Sequence, residues 1–165
     1  MLTIEDYAKQ PREQRLQRLT RTADEFSAAI KGQSDAALAR RPDAKNWAAK
    51  EVVCHMRDTE EVFGARIEQI LAMDVDPKLI ATNPDRWAEE RQYLTNDAGR
   101  ALDAFRQRRG ETLETFGKLT SCSVGEGRSP FSRRPDHARQ LPVPSWPGMT
   151  NNHVDQLTRA LQGRA

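Results

Sequence analysis

Long apolar runs are missing from this chain. Hydrophobic residues make up 37% of its 165 residues and charged residues 30%, and no apolar stretch approaches the roughly 20 residues that span a bilayer. The first residues, MLTIEDYAKQPREQ, also lack the basic start and the apolar stretch of an export signal. We therefore expect no membrane span and a cytoplasmic location.

Cysteine is scarce, and neither sign of charge is in large excess. The two cysteines, Cys54 and Cys122, share no CxxC spacing, which argues against a disulfide framework and favours two free thiols. The formal net charge is only +2, with both signs interspersed, so no broad basic face is expected to bind nucleic acid. A local group of arginines is interpreted as a solvated loop: Arg128, Arg133, Arg134 and Arg139.

Helical periodicity is what the chain does contain. Apolar residues recur at alternating steps of three and four, the pattern of one helix face, as in Leu16, Leu19, Ala23, Phe26 and Ile30. This spacing predicts helices over about residues 12–31, 48–73 and 86–119. Asn46 is expected to cap the second helix, and Gly110 could break the third.

The remaining segments complete the predicted fold. Residues 74–84 contain two prolines and are expected to form a loop. Residues 121–148 are rich in Gly, Pro, Ser and Arg, whereas helical spacing returns at Met149, His153, Leu157 and Leu161. We therefore predict an all-α fold, a four-helix bundle in a single domain over residues 1–165, with an irregular segment at about 121–148.

Two histidines lie on the apolar faces of different predicted helices. His55 is one helical turn from Val52 and Thr59, and His153 shares a stripe with leucines. Inward imidazoles from two helices of one bundle commonly hold a metal ion, and nitrogen ligands suit Zn, Ni or Fe. The alternative for His55 is a core histidine that is hydrogen-bonded to a carbonyl. The third histidine, His137, falls in the irregular segment.

This pattern lacks a third strong ligand. Catalytic zinc sites use three protein ligands and an open position, and two ligands on one helix are commonly four residues apart. The residue four positions before His153 is Met149, and a thioether is a poor ligand for a borderline divalent ion. The sequence therefore predicts an incomplete site.

Two stretches of the chain resemble a known family. The run at 46–60, NWAAKEVVCHMRDTE, resembles the signature of DinB/YfiT-like proteins: a tryptophan, a helix start and then Glu-Val-x-x-His-x-x-Asp-x-Glu. The run at 152–157, NHVDQL, resembles the His-x-x-Gln-Leu/Ile motif of the family's last helix. The resemblance covers about residues 12–119 and 149–162.

The resemblance implies a four-helix bundle that holds one divalent ion, Zn, Ni, Fe or Mn, with three histidines. Carried onto this chain, two of the ligands are His55 and His153, and the third falls on Met149. Asp58 and Gln156 would then orient the ligands or the substrate. The alternative for Asp58 is a solvent-facing position on the second helix.

The function implied by this resemblance is that of a divalent-metal-binding protein, either a metal-dependent hydrolase or a low-molecular-weight-thiol S-transferase. Its substrate would be a small molecule or a thiol, and its site would be impaired by Met149. Such bundles could also pair into homodimers through exposed helix faces. The alternative, which Met149 favours, is a non-catalytic helical-bundle protein with weak or no metal binding.

The identity of residue 149 also raises a hypothesis about the gene. Trp and Met each have a single codon, so the codons of residues 145–150 can be re-read one base earlier to include Leu-Ala-Gly-His-Asp, with histidine at position 149. We therefore hypothesise a frame disruption that begins near residue 121 and is corrected by residue 151. Sequencing the gene tests it, because the hypothesis fails if no single-base shift yields a helical frame with that histidine.

Overall fold

The computed structural model describes residues 4–72, 83–121 and 146–165. Every regular element in these three ranges is a helix and none is a strand, which confirms the all-α prediction. Within the same ranges, no helix has both the length and the apolar character needed to cross a membrane.

Four long helices form the bundle in the described part of the chain, together with three short helices and a 3-10 turn. The long helices are α2 (Arg12–Ile30), α4 (Ala49–Ala72), α6 (Ala98–Ser121) and α7 (Trp146–Leu161). The short helices are α1 (Ile4–Lys9), α3 (Asp35–Ala39) and α5 (Pro84–Glu90), and a 3-10 turn covers Tyr93–Thr95.

The packing of the long helices defines the order around the bundle. Helix α2 packs against α6 and α7, and α4 packs against the same two helices. The order is therefore α2, α6, α4 and α7, so that α2 and α4 stand at opposite corners. This arrangement places α4 and α7, the two helices that carry His55 and His153, side by side.

The third predicted helix is divided in the structure, and the expected break lies in the wrong place. Helix α6 runs through Gly110 without interruption, whereas the chain leaves the helix after Glu90 and resumes it at Ala98. The turn between them is built locally. Gln92 adopts a left-handed φ of 49°, and the side-chain amide of Asn96 donates to two backbone carbonyls of that turn.

The start of α4 corrects the predicted cap. Asn46 does not cap the helix, since its side chain donates to the carboxylate of Asp43. The cap comes from inside the helix instead: a carboxylate oxygen of Glu51 accepts a hydrogen bond from the backbone N–H of Ala48 at 2.9 Å. This bond is one of the two that make up a capping box: an acidic side chain in the first turn accepts a hydrogen bond from the backbone N–H that precedes the helix.

Both ends of the predicted irregular segment are helical in the structure. Ser121 belongs to α6, and residues 146–148 already belong to α7. Residues 122–145 lie outside the described residues, together with the arginine cluster, Cys122 and His137, and so does 73–82, most of the predicted loop. The frame-disruption hypothesis concerns mainly these residues and stays a prediction.

Among the residues that the structure describes, the buried apolar side chains form two clusters between the helices. The larger cluster includes Phe26 and Phe105, whose ring centres are 5.8 Å apart. The smaller cluster is Leu19, Ile67 and Phe116. Cys54 is a free thiol in the larger cluster, and burial raises its pKa to about 11, so it is a core residue rather than a nucleophile.

One buried ion pair joins three of the long helices. Arg109 of α6 donates to both carboxylate oxygens of Glu60 on α4, at 2.8 and 2.7 Å. The same guanidinium donates to the backbone carbonyl of Leu19 on α2 at 2.9 Å. Burial raises the pKa of Glu60, and the charge of Arg109 opposes that shift. The pair therefore fixes the positions of α2, α4 and α6 relative to one another.

Candidate metal centre

The two histidines that the sequence singles out meet inside the bundle. His55 projects from α4 and His153 from α7, and their ring centres are 4.8 Å apart with an interplanar angle of 63°. Only 8% of the surface of His55 is exposed, and His153 is half-buried. The helical spacing therefore predicts correctly that both rings face the interior.

The hydrogen bonds of the two rings leave nitrogen atoms available. Nδ1 of His153 lies 2.8 Å from the side-chain oxygen of Gln156, so Nδ1 carries the proton and Nε2 keeps its lone pair. Nε2 of His55 is 3.3 Å from the hydroxyl of Thr59. Its Nδ1 is buried and has no hydrogen-bond partner among the described residues. An unpartnered buried ring nitrogen calls for an explanation, and a bound ion is one.

Both imidazoles are held in their neutral form. Burial and, to a smaller extent, the adjacent His153 together lower the pKa of His55 to about 4, and the charge of Asp58 acts in the opposite direction. Burial also lowers the pKa of His153, against the effect of its hydrogen bond with Gln156. Since a metal binds the neutral imidazole, neither ring has to lose a proton at neutral pH before it can bind an ion.

The two rings share the wall of a cavity of about 240 Å³, here called the histidine cavity. Its polar lining consists of the two imidazoles and the hydroxyls of Thr59 and Thr150. The rest of the lining is apolar and comprises Met56, Phe63, Pro84 and Met149. The cavity therefore offers two imidazoles to a ligand, in a lining that is otherwise mostly apolar.

The spacing of the rings fits an ion shared between them. For metal–nitrogen distances of about 2.0–2.1 Å and angles of about 90–110°, the centres of two bound imidazoles lie about 4.5–5.2 Å apart. The observed 4.8 Å lies within this range. Two rings in an edge-to-face contact without an ion can have the same spacing. The stronger support for a shared ion is therefore the buried nitrogen of His55 that has no hydrogen-bond partner among the described residues.

The described residues supply two strong ligands and not a third. They contain no group of three or more His, Cys, Asp or Glu side chains that could surround one ion. Met149 lines the same cavity, one helical turn before His153. The residues present therefore fit an ion that is held by two imidazoles and completes its coordination with water or substrate oxygen or sulfur.

Asp58 lies differently from what was expected. It is buried, so the solvent-facing alternative is wrong. Its carboxylate accepts hydrogen bonds from Arg57, Arg91 and Tyr93, and burial, which raises its pKa, is outweighed by these bonds. Asp58 therefore anchors the turn between α5 and α6, and among the described contacts it influences His55 only through its charge.

Gln156 and Trp47 hold the two rings in place. Gln156, predicted to orient a ligand, does contact Nδ1 of His153. Trp47 packs edge-on against His55 with ring centres 5.0 Å apart, and its indole N–H donates to Asp85 at 3.1 Å. The tryptophan belongs to the run that carries the family resemblance, but its contact with His55 depends on the turn before α4 and was not predicted.

The low pKa of His55 predicts a dependence of stability on pH. The unfolded chain takes up a proton near pH 6.5 and the folded chain only near pH 4, so this group favours the folded state above pH 6.5 and the advantage is lost as the pH falls to 4. As the pH falls from 6.5 to 4, we expect the free energy of unfolding of the wild type to decrease by up to about 3 kcal/mol relative to that of His55→Gln. Denaturant unfolding with a chelator measures it, and parallel pH profiles of the two proteins would contradict it.

Comparisons with known proteins agree with this fold. A sequence model of the DinB superfamily matches residues 18–156. Among solved structures, the chain is similar to YfiT from Bacillus subtilis, described as "a probable metal-dependent hydrolase with an unusual four-helix bundle topology", with a TM-score of 0.72 and 17% identity over 95% of this chain and 90% of that one. At this identity the likeness shows the fold alone. No curated protein matches the chain.

Proposed function

The chain belongs to the DinB superfamily, and from this premise we propose that it binds one divalent metal ion with His55 and His153. The observation that carries the proposal is the pair of neutral imidazoles, 4.8 Å apart on one cavity wall. One ring has a buried nitrogen without a partner among the described residues. The nitrogen donors suit Zn, Ni, Fe or Mn.

The activity that we propose for this centre is hydrolysis or S-transfer on a small-molecule substrate or thiol. When bound, a divalent ion would lower the pKa of water or of a thiol at its open coordination positions. The protein supplies the surroundings: Gln156 fixes the tautomer of His153, Trp47 limits the movement of the His55 ring, and the rest of the cavity lining is mostly apolar. Of these two activities, the description of YfiT as a probable metal-dependent hydrolase supports hydrolysis.

Met149 limits how tightly the ion is held. With two protein ligands instead of three, the ion exchanges more readily and relies on substrate or water to complete its coordination. We therefore propose a site of reduced affinity. A non-catalytic bundle with weak or no metal binding is the alternative that the following experiment distinguishes.

Thermal unfolding with and without added metal tests the proposal. An ion that binds only the folded state at 100 times its dissociation constant stabilises the protein by about 2.7 kcal/mol, which raises the Tm by about 5–10 °C for a chain of this size. We expect this shift with Zn²⁺ or Ni²⁺ and its loss in His55→Gln and His153→Gln. His137→Gln, which changes the remaining histidine, should keep it.

Two outcomes would contradict the proposal. A wild-type Tm that does not change with any of the four metals favours the non-catalytic alternative. An equal shift in the wild type and in both site variants would show that the ion binds elsewhere on the chain.

A further inference from the structure

A second cavity adjoins the histidine cavity on the other side of His153. It has a volume of about 180 Å³ and is here called the basic cleft. One wall is the face of α7 that carries His153, Gln156 and Arg159, and the opposite wall includes Pro42 and Trp47. His153 lines both cavities, so a ligand in either one lies next to this ring.

The side chains that line the basic cleft carry two positive charges and no negative one, and Ala165, whose α-carboxylate is negative in the chain as given, lines it as well. The positive charges are the guanidinium groups of Arg159 and Arg164. Neither makes an ion pair with a described residue, and the only side-chain bond of Arg164 goes to the neutral amide of Gln162. Amide groups of Asn46 and Asn152 complete the polar lining.

The turn that ends α7 brings the two guanidinium groups to the same cleft. Gly163 adopts a left-handed φ of 67°, and the chain folds back so that the N–H of Arg164 donates to the carbonyl of Arg159 at 2.9 Å. The N–H of Gly163 donates to the carbonyl of Ala160 at 3.0 Å. Because these carbonyls already accept hydrogen bonds, they repel an anion in the cleft less than free carbonyls at a helix end would.

We propose that the basic cleft binds the carboxylate of an organic substrate whose apolar part occupies the histidine cavity. A planar carboxylate suits guanidinium donors, which bind its two oxygens together. The apolar lining on the far side of His153, with Phe63 and Met149, suits a hydrocarbon body. This inference rests on the proposed function for the reaction itself, but binding of the carboxylate needs no metal.

The experiment uses metal-free protein and two probes of nearly the same shape. The first probe is 3-phenylpropionate, and the second is the neutral 3-phenylpropionamide. Amide chemical shifts in two-dimensional NMR report where and how tightly each binds. We expect the carboxylate to perturb residues around 46–47 and 152–164 and to bind at least about fivefold more tightly than the amide. The affinity tag is placed at the N-terminus because Ala165 also lines the cleft.

Variants identify the groups that are responsible. Arg159→Gln/Arg164→Gln should weaken the carboxylate at least about fivefold and leave the amide unchanged. Arg100→Gln, which removes an exposed arginine outside both cavities, should bind the carboxylate like the wild type. Equal binding of the two probes, or unchanged binding in the double variant, would overturn the inference. The metal titration is a separate experiment. Failure of the carboxylate binding test therefore does not affect the test of metal binding, and failure of the metal test does not affect the carboxylate test.

Discussion

Met149→His should raise the affinity of the protein for Zn²⁺ by about 100-fold or more. Met149 lies in the lining of the histidine cavity together with His55 and His153, and it precedes His153 by one helical turn. Removing a hydrogen bond that orients a metal ligand changes the metal affinity by about 10–100-fold. A new nitrogen ligand that contacts the ion directly should therefore raise the affinity by at least the upper end of that range. Competition with a chromophoric zinc chelator measures the change.

The matched control is Met149→Leu. It removes the thioether and keeps the apolar volume, so the affinity for Zn²⁺ should stay close to that of the wild type. If the histidine variant binds no more tightly than the leucine variant while both remain folded, residue 149 does not face the ion. The proposal of a two-histidine site with an impaired third position would then be wrong.

Arg109→Met should destabilise the protein by about 3–5 kcal/mol, because it leaves the carboxylate of Glu60 buried without its partner. Both side chains are almost completely buried, and the guanidinium donates to both oxygens of that carboxylate. For a chain of this size the Tm should fall by about 6–20 °C. The loss should be smaller at pH 5 than at pH 8, since burial raises the pKa of Glu60 and favours its neutral form.

Two further variants show whether an unpaired charge causes this loss. Glu60→Met/Arg109→Met removes both charges and should be close to the wild type in stability or above it. Arg108→Met breaks ion pairs with carboxylates that are largely exposed and should cost less than about 1 kcal/mol. A double variant as unstable as Arg109→Met would show that the lost packing, and not the charge, is responsible.

Most of the helices could be predicted because each buries one face along its whole length. Steps of three and four residues in α2 and α4 give bounds that agree with the structure to within one or two residues. The interruption before α6 could not be predicted from such spacing. Its turn is anchored by bonds from Arg91 and Tyr93 to Asp58, residues more than thirty positions apart that meet only in the folded protein.

The convergence of the two histidines was predictable, whereas much of what surrounds them was not. A polar ring within an apolar helix stripe points inward wherever the helix packs, so the positions of His55 and His153 follow from periodicity alone. Gln156 lies one turn from His153 and was predicted from the family resemblance instead. The packing of Trp47 on His55 depends on a turn, and the meeting of Arg159 and Arg164 depends on a left-handed glycine. Neither leaves a periodic signal.

The most direct test of the two-histidine centre is anomalous diffraction at the zinc absorption edge from crystals grown with Zn²⁺. The account predicts one peak between the two rings, within about 2.0–2.3 Å of a nitrogen of His55 and of a nitrogen of His153. A zinc peak bound by other residues, or none near these rings at saturating metal, would contradict it.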